Sequence, residues 1–138
     1  MKINLTSIAS RISLAGLLVI VMLTMAACGN QSGKSTVVYV KMTEYKVEMD
    51  KTSIPAGPVR FEIKNAGTTV HELVLEPAGV VDKPFEANGE ESEVENVQPG
   101  QSVTLEWTID TPGQYQLGCH TPAHYEQGMF ENFTVTAP

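Results

Sequence analysis

From Val37 onward, apolar and polar side chains alternate with a period of two rather than 3.6. Residues 37–42 are β-branched and apolar, and Tyr45, Val47 and Met49 then alternate with Lys46 and Glu48. Pro55-Ala56-Gly57-Pro58 interrupts the pattern. Val59, Phe61 and Ile63 next alternate with Arg60, Glu62 and Lys64, a half-buried strand that ends at the turn Asn65-Ala66-Gly67. Residues 70–75 form another strand, with His71, Leu73 and Leu75 on one face. Further on, Val103, Leu105, Trp107 and Ile109 alternate with polar neighbours, and Thr111-Pro112-Gly113 turns the chain. Tyr115, Leu117 and Cys119 share a strand face, and Phe133 and Val135 close the series. Short alternating strands between Gly/Pro turns predict an all-β fold, an antiparallel sandwich or barrel. Trp107, the single tryptophan, is expected to fill the core.

One stretch resists the pattern. Residues 76–99 have few alternating positions and carry Glu86, Glu90, Glu91, Glu93 and Glu95, with no basic residue between Glu86 and Glu95. The plainer expectation is a solvated insertion; the sharper one is a docking patch for a basic partner.

The N-terminus has a different grammar. Lys2 and Arg11 frame a basic start, and residues 12–25 (ISLAGLLVIVMLTM) are uncharged and mostly aliphatic. That run is shorter than the roughly 20 residues of a membrane-spanning helix. A basic start, a short apolar run and the small residues Ala26 and Ala27 predict a secretory signal over residues 1–27. Cys28 follows at once, and Ala26-Ala27-Cys28 resembles the lipobox of bacterial lipoproteins, in which the cysteine is lipidated and becomes the new N-terminus. The resemblance implies an extracytoplasmic protein held to the cell membrane by a lipid on Cys28. Residues 28–36, polar and containing two glycines, then read as a flexible tether, and residues 37–138 as one domain.

Composition narrows the choices. The chain has 138 residues, room for one core, and a formal charge of −7. That acidity argues against nucleic acid as a partner. Two cysteines are too few for a disulfide-stapled miniprotein, and three histidines too few for most multinuclear metal enzymes.

The chemistry gathers at the second cysteine. Cys119, His124 and Met129 stand as C-x4-H-x4-M between two strands, with Pro122 and Gly128 as turn formers. One tight loop can bring a thiol, an imidazole and a thioether to one point, and His71 is the candidate fourth donor. Imidazole with thiolate and thioether favours copper. Zinc rarely takes thioether, and iron–sulfur clusters need more cysteines. His120 should point opposite to Cys119, as adjacent strand residues do, and is expected to be a polar surface or loop residue rather than a ligand.

With His71 after the V-x-F-x-I-x-N-x-G segment and C-x4-H-x4-M downstream, residues 37–138 resemble the cupredoxins, the small type 1 blue copper proteins. The loop spacing is closest to the rusticyanin and auracyanin branches. The resemblance implies a Greek-key β-sandwich holding one copper ion, with His71, Cys119 and His124 as equatorial ligands and Met129 as the axial one. It also implies one-electron transfer, without enzymatic turnover, between transient redox donor and acceptor proteins. His124 would be the electron port, and Pro122, Ala123 and Tyr125 its contact patch. A monomer is expected. The alternative is copper trafficking or sequestration in the cell envelope. One departure stands out: Glu72 follows the first histidine, where many relatives place Asn or Ser to brace the copper loop, which puts the hydrogen bond to Cys119 in question.

Overall fold

The computed structural model describes residues 34–138. The expected signal segment (1–27), Cys28 and the tether up to residue 33 lie outside the described residues. Among the described residues no helix is long and apolar enough to cross a membrane.

Among the described residues eleven strands follow in order: β1 (Thr36–Thr43), β2 (Lys46–Met49), β3 (Ser53–Pro55), β4 (Gly57–Asn65), β5 (His71–Pro77), β6 (Glu86–Ala87), β7 (Glu90–Glu91), β8 (Glu93–Val97), β9 (Ser102–Ile109), β10 (Gly113–Gly118) and β11 (Phe130–Thr136). A 3₁₀ turn, Tyr125–Gln127, lies between β10 and β11. One sheet runs β2-β1-β4-β9 and the other β3-β11-β10-β5-β8, with β6 and β7 as a separate hairpin. This is the expected all-β sandwich, although not wholly antiparallel. β1 pairs parallel to β4, and β3 parallel to β11. The chain crosses between the sheets at β2–β3, β3–β4, β4–β5, β8–β9 and β9–β10, so strands adjacent in space come from distant stretches of sequence.

The period-two pattern places one face of each strand inward. Val38, Val40 and Met42 from β1, with Val59, Phe61 and Ile63 from β4, meet Leu73 and Leu75 from β5, Leu117 from β10, and Phe133 and Val135 from β11. Phe61 and Phe133 join the two sheets edge to face, with centroids 6.0 Å apart. β5 and β10 lie side by side in the middle of their sheet and are buried on both faces over much of their length. That double burial encloses Glu76 and Gln116, which the alternation alone would have placed outside.

One expectation gains detail and one changes. The glutamate-rich stretch within 76–99 is exposed over 86–91 and holds short strands: Glu86–Ala87 and Glu90–Glu91 pair across Asn88-Gly89, whose φ values of 56° and 82° suit a tight hairpin, and β8 pairs with β5. Buried Ser92 secures this stretch, its hydroxyl donating to the Leu75 carbonyl at 2.7 Å and accepting from the Phe85 N–H at 2.8 Å. Trp107 is not a core filler. It lies half-buried on edge strand β9, packed against the core margin, and faces the cleft beside the acidic hairpin.

Candidate metal centre

His71 opens β5, and Cys119 follows directly on β10, the neighbouring strand. Pairing of β5 with β10 runs as far as Val74 and Gly118, which brings the sheet to the residue before Cys119. Upstream of His71, buried Asn65 organises the approach: its Nδ2 donates to the carbonyls of Thr69 (2.8 Å) and Val97 (2.9 Å), and its Oδ1 accepts from the Gly67 N–H. The Glu44 carboxylate accepts from the Thr68 and Thr69 N–H groups of the same loop. Those N–H bonds, the Thr68 one foremost, hold the Glu44 carboxyl down at about 2.

The loop from Cys119 to Met129 closes on itself. The Cys119 N–H donates to the Met129 carbonyl (3.0 Å) and the Met129 N–H to the His124 carbonyl (3.1 Å). His124 N–H in turn donates to Thr121 O at 2.9 Å. Gly128 takes φ 94°, a left-handed conformation suited to glycine, and ends the 3₁₀ turn. Ala123 also has a positive φ, 69°, which its side chain tolerates at some cost.

These backbones bring three donor atoms together. His71 Nδ1 lies 3.3 Å from His124 Nδ1 and 3.9 Å from Cys119 Sγ, and His124 Nδ1 lies 3.6 Å from that sulfur. The point equidistant from three corners so spaced is about 2.1 Å from each, within the roughly 2.0–2.3 Å of imidazole and thiolate bonds to a first-row metal ion. His71 and Cys119 are fully buried and His124 half-buried. Burial, and then the neighbouring His124 imidazole, push His71 below the ordinary histidine range, which favours the neutral imidazole that a metal needs. His71 Nε2 is buried and finds no hydrogen-bond partner among the described residues. Met129 is fully buried at the end of the same loop. Two imidazoles and a thiol converging on one point, with a thioether on their loop, fit one copper ion.

Other sequence expectations find their places here. Pro122 and Ala123 are exposed beside His124. Tyr125 is turned elsewhere: its ring stacks between His120 (4.8 Å) and Phe130 (4.9 Å). The aromatic ring against His124 belongs instead to Tyr45, in the β1–β2 turn. His120 does point away from the three donors, yet it is not a surface residue, since its side chain is 8% exposed and sits 2.9 Å from the Glu76 carboxylate. Glu72 lies at a bulge in the β5–β8 pairing. The polar group found at Cys119 is the Thr121 hydroxyl, 3.4 Å from Sγ, a partner that sequence reasoning missed. Its position two residues after the cysteine was the available signal.

Comparison with known proteins agrees with this geometry. Residues 15–130 match the family model of the Cupredoxin-like domain. Among solved structures, dithionite-reduced auracyanin from Roseiflexus castenholzii is 24% identical, with a TM-score of 0.61, over 75% of this chain and 99% of its own. Auracyanin B is 22% identical, with a TM-score of 0.61, over 73% of this chain and 88% of its own. Auracyanin A from Chloroflexus aurantiacus, described as a "blue" copper protein, is 21% identical, with a TM-score of 0.52, over 72% and 99%. No curated protein sequence matches the chain. Strand order, donor cluster and family match lead to one assignment: the chain belongs to the cupredoxin-like family.

Proposed function

We propose that this protein carries single electrons between redox partners outside the cytoplasm, through one type 1 copper ion. His71, Cys119 and His124 would hold the ion through two imidazole nitrogens and a thiolate, and Met129 would add a weaker thioether ligand. The observation that supports this most is the triangle of His71 Nδ1, His124 Nδ1 and Cys119 Sγ, sized for a single first-row ion. When bound, copper would supply a one-electron couple for exchange between a reduced donor and an oxidised acceptor, with no bond of the chain broken.

The protein's part is to stay still. Adjacent strands β5 and β10 fix His71 and Cys119, and the backbone bonds of the loop fix His124 and Met129. A donor set held this way changes little between the two charge states, which keeps the reorganisation barrier low. Pro122 and Ala123 lie exposed around half-buried His124 and form the contact patch for a small, transient encounter. Lipidation of Cys28 and the tether that follows would keep the domain near a membrane while it reorients. Storage or delivery of copper is disfavoured, because among the described residues Met42 and Met129 are fully buried and Met49 packs half-buried against the core, which leaves no exposed thioether cluster there.

The test is addition of Cu(II) to the purified protein. An intense blue colour, bleached reversibly by ascorbate and lost in Cys119→Ala, is expected. A colourless protein that binds Cu(I) and passes it to a chelator would replace electron transfer with trafficking.

A further inference from the structure

Glu76 is completely buried, and nothing in the ligand triangle accounts for it. Its Oε1 lies 2.8 Å from Gln116 Nε2 and 2.9 Å from His120 Nε2, and its Oε2 accepts from the Lys83 N–H at 2.9 Å. Gln116, itself buried, also lies 2.8 Å from the Tyr125 hydroxyl and accepts from the Gly79 N–H. His120 directly follows Cys119, and Tyr125 directly follows His124. One carboxylate is therefore tied to the residue after each of two ligands. Gly118 leaves no slack in this arrangement: an added Cβ would stand 2.9 Å from Glu76 Oε1, 3.1 Å from the Tyr125 ring and 3.2 Å from His120 Nε2.

The contacts suit an ionised carboxylate. The Gln116 amide donates to Oε1 and the Lys83 N–H to Oε2, while His120 Nε2 stands 2.9 Å from Oε1 and 3.4 Å from the Asp82 nitrogen. With the His120 ring N–H directed at Oε1, Glu76 accepts at every contact, as an ionised carboxyl does. The amide and peptide partners are neutral and would solvate that charge without cancelling it. In an interior of low dielectric such a charge acts over several ångströms.

We propose that Glu76 is a positioning residue that sets the reduction potential of the copper site from behind the ligand loop. Its negative charge favours Cu(II) over Cu(I), and its grip on His120, and on Tyr125 through Gln116, holds Cys119 and His124 in register. This rests on the copper reading of the triangle.

The experiment is redox titration of copper-loaded Glu76→Gln, Glu76→Asp and wild-type protein, followed by visible absorption. Glu76→Gln should bind copper and remain blue. Its reduced-to-oxidised ratio at fixed ambient potential should rise at least tenfold, which is 59 mV for one electron. Glu76→Asp, which keeps the charge, should stay near wild type. High salt should leave the Glu76→Gln shift in place, whereas it erases any shift from exposed Glu126→Gln. If Glu76→Gln does not fold, His120→Phe keeps a ring on Tyr125 while removing a donor from the carboxylate, and should lower the potential. Unmoved potentials in a blue protein would overturn this inference alone, as would a shift that salt abolishes. A wild-type protein that takes up no copper would instead overturn the reading on which it rests.

Discussion

The ring of Tyr45 stands edge-on to the imidazole of His124, with centroids 5.3 Å apart and planes at 79°. Tyr45 is half-exposed and holds φ 60°, a left-handed conformation that is costly for an aromatic residue. The turn that carries it also contributes Glu44, whose carboxylate secures the loop leading to His71. One two-residue turn thus touches the approaches to both imidazoles. Tyr45→Ala should cost roughly 0.5–1.5 kcal/mol of stability through the lost ring pair. Tyr45→Gly loses the same ring but relieves the backbone, and should be more stable than the alanine variant by about 1 kcal/mol. Thermal unfolding ranks the two. Imidazole NMR of the metal-free protein should show the His124 ring more mobile in both.

Two carboxylates give opposite pH dependences. Glu44 sits at about 2 in the folded chain against an ordinary 4.5, so its stabilising effect is full above about 4.5 and fades as pH falls towards 2. Glu93 is raised to about 7, first by burial and then by its hydrogen bond to Glu91 and the charges of Glu91, Glu95 and Glu72. Its folded form binds the proton more tightly than the unfolded chain does, so stability should decline as pH rises from about 4.5 to 7. Glu93→Gln should flatten that decline, and Glu44→Gln the acid limb. Urea midpoints measured across pH 2–8 decide both.

The edge-to-face pair Phe61–Phe133 bridges the sheets at full burial. Phe61→Ala should destabilise by about 3–5 kcal/mol, the cost of a large core truncation with its cavity. A loss under 1 kcal/mol in denaturant unfolding would mean that the two sheets do not share this core.

Thr121 places its hydroxyl 3.4 Å from the Cys119 sulfur. In the metal-free chain the Cys119 thiol donates to Thr121 Oγ1; once the sulfur is a metal-bound thiolate the hydroxyl would donate instead, stabilising the electron-rich sulfur and weakening its donation to the metal. Thr121→Val, close in shape, should lower the reduction potential while leaving the blue band intense. Cyclic voltammetry of the two loaded proteins provides the comparison.

What could be read from the sequence follows from which contacts are local. The strand faces of β4, β5 and β10 were visible because alternation is a property of a few consecutive residues, and the Cys119–Met129 loop because its donors lie close in sequence. The parallel pairings of β1 with β4 and β3 with β11 were not, since pairing partners in a sandwich are chosen across the fold. Glu76 and Gln116 broke the rule that polar strand positions face water, because β5 and β10 are covered on both faces. Tyr45 alternates with Val47 and Met49 as a strand residue would, yet lies in a turn, where its contact with His124 joins residues 79 positions apart. Asn88-Gly89 did carry a hairpin signal, but the glutamates around it lack the apolar alternation that usually accompanies one.

The central claim is most directly tested by a crystal structure of the copper-loaded protein. Copper should lie within bonding distance of His71 Nδ1, His124 Nδ1 and Cys119 Sγ, with those donors still 3.3–3.9 Å from one another and the Met129 sulfur as a longer fourth contact. Copper bound instead at the acidic hairpin, or a Cys119 sulfur left uncoordinated, would contradict it.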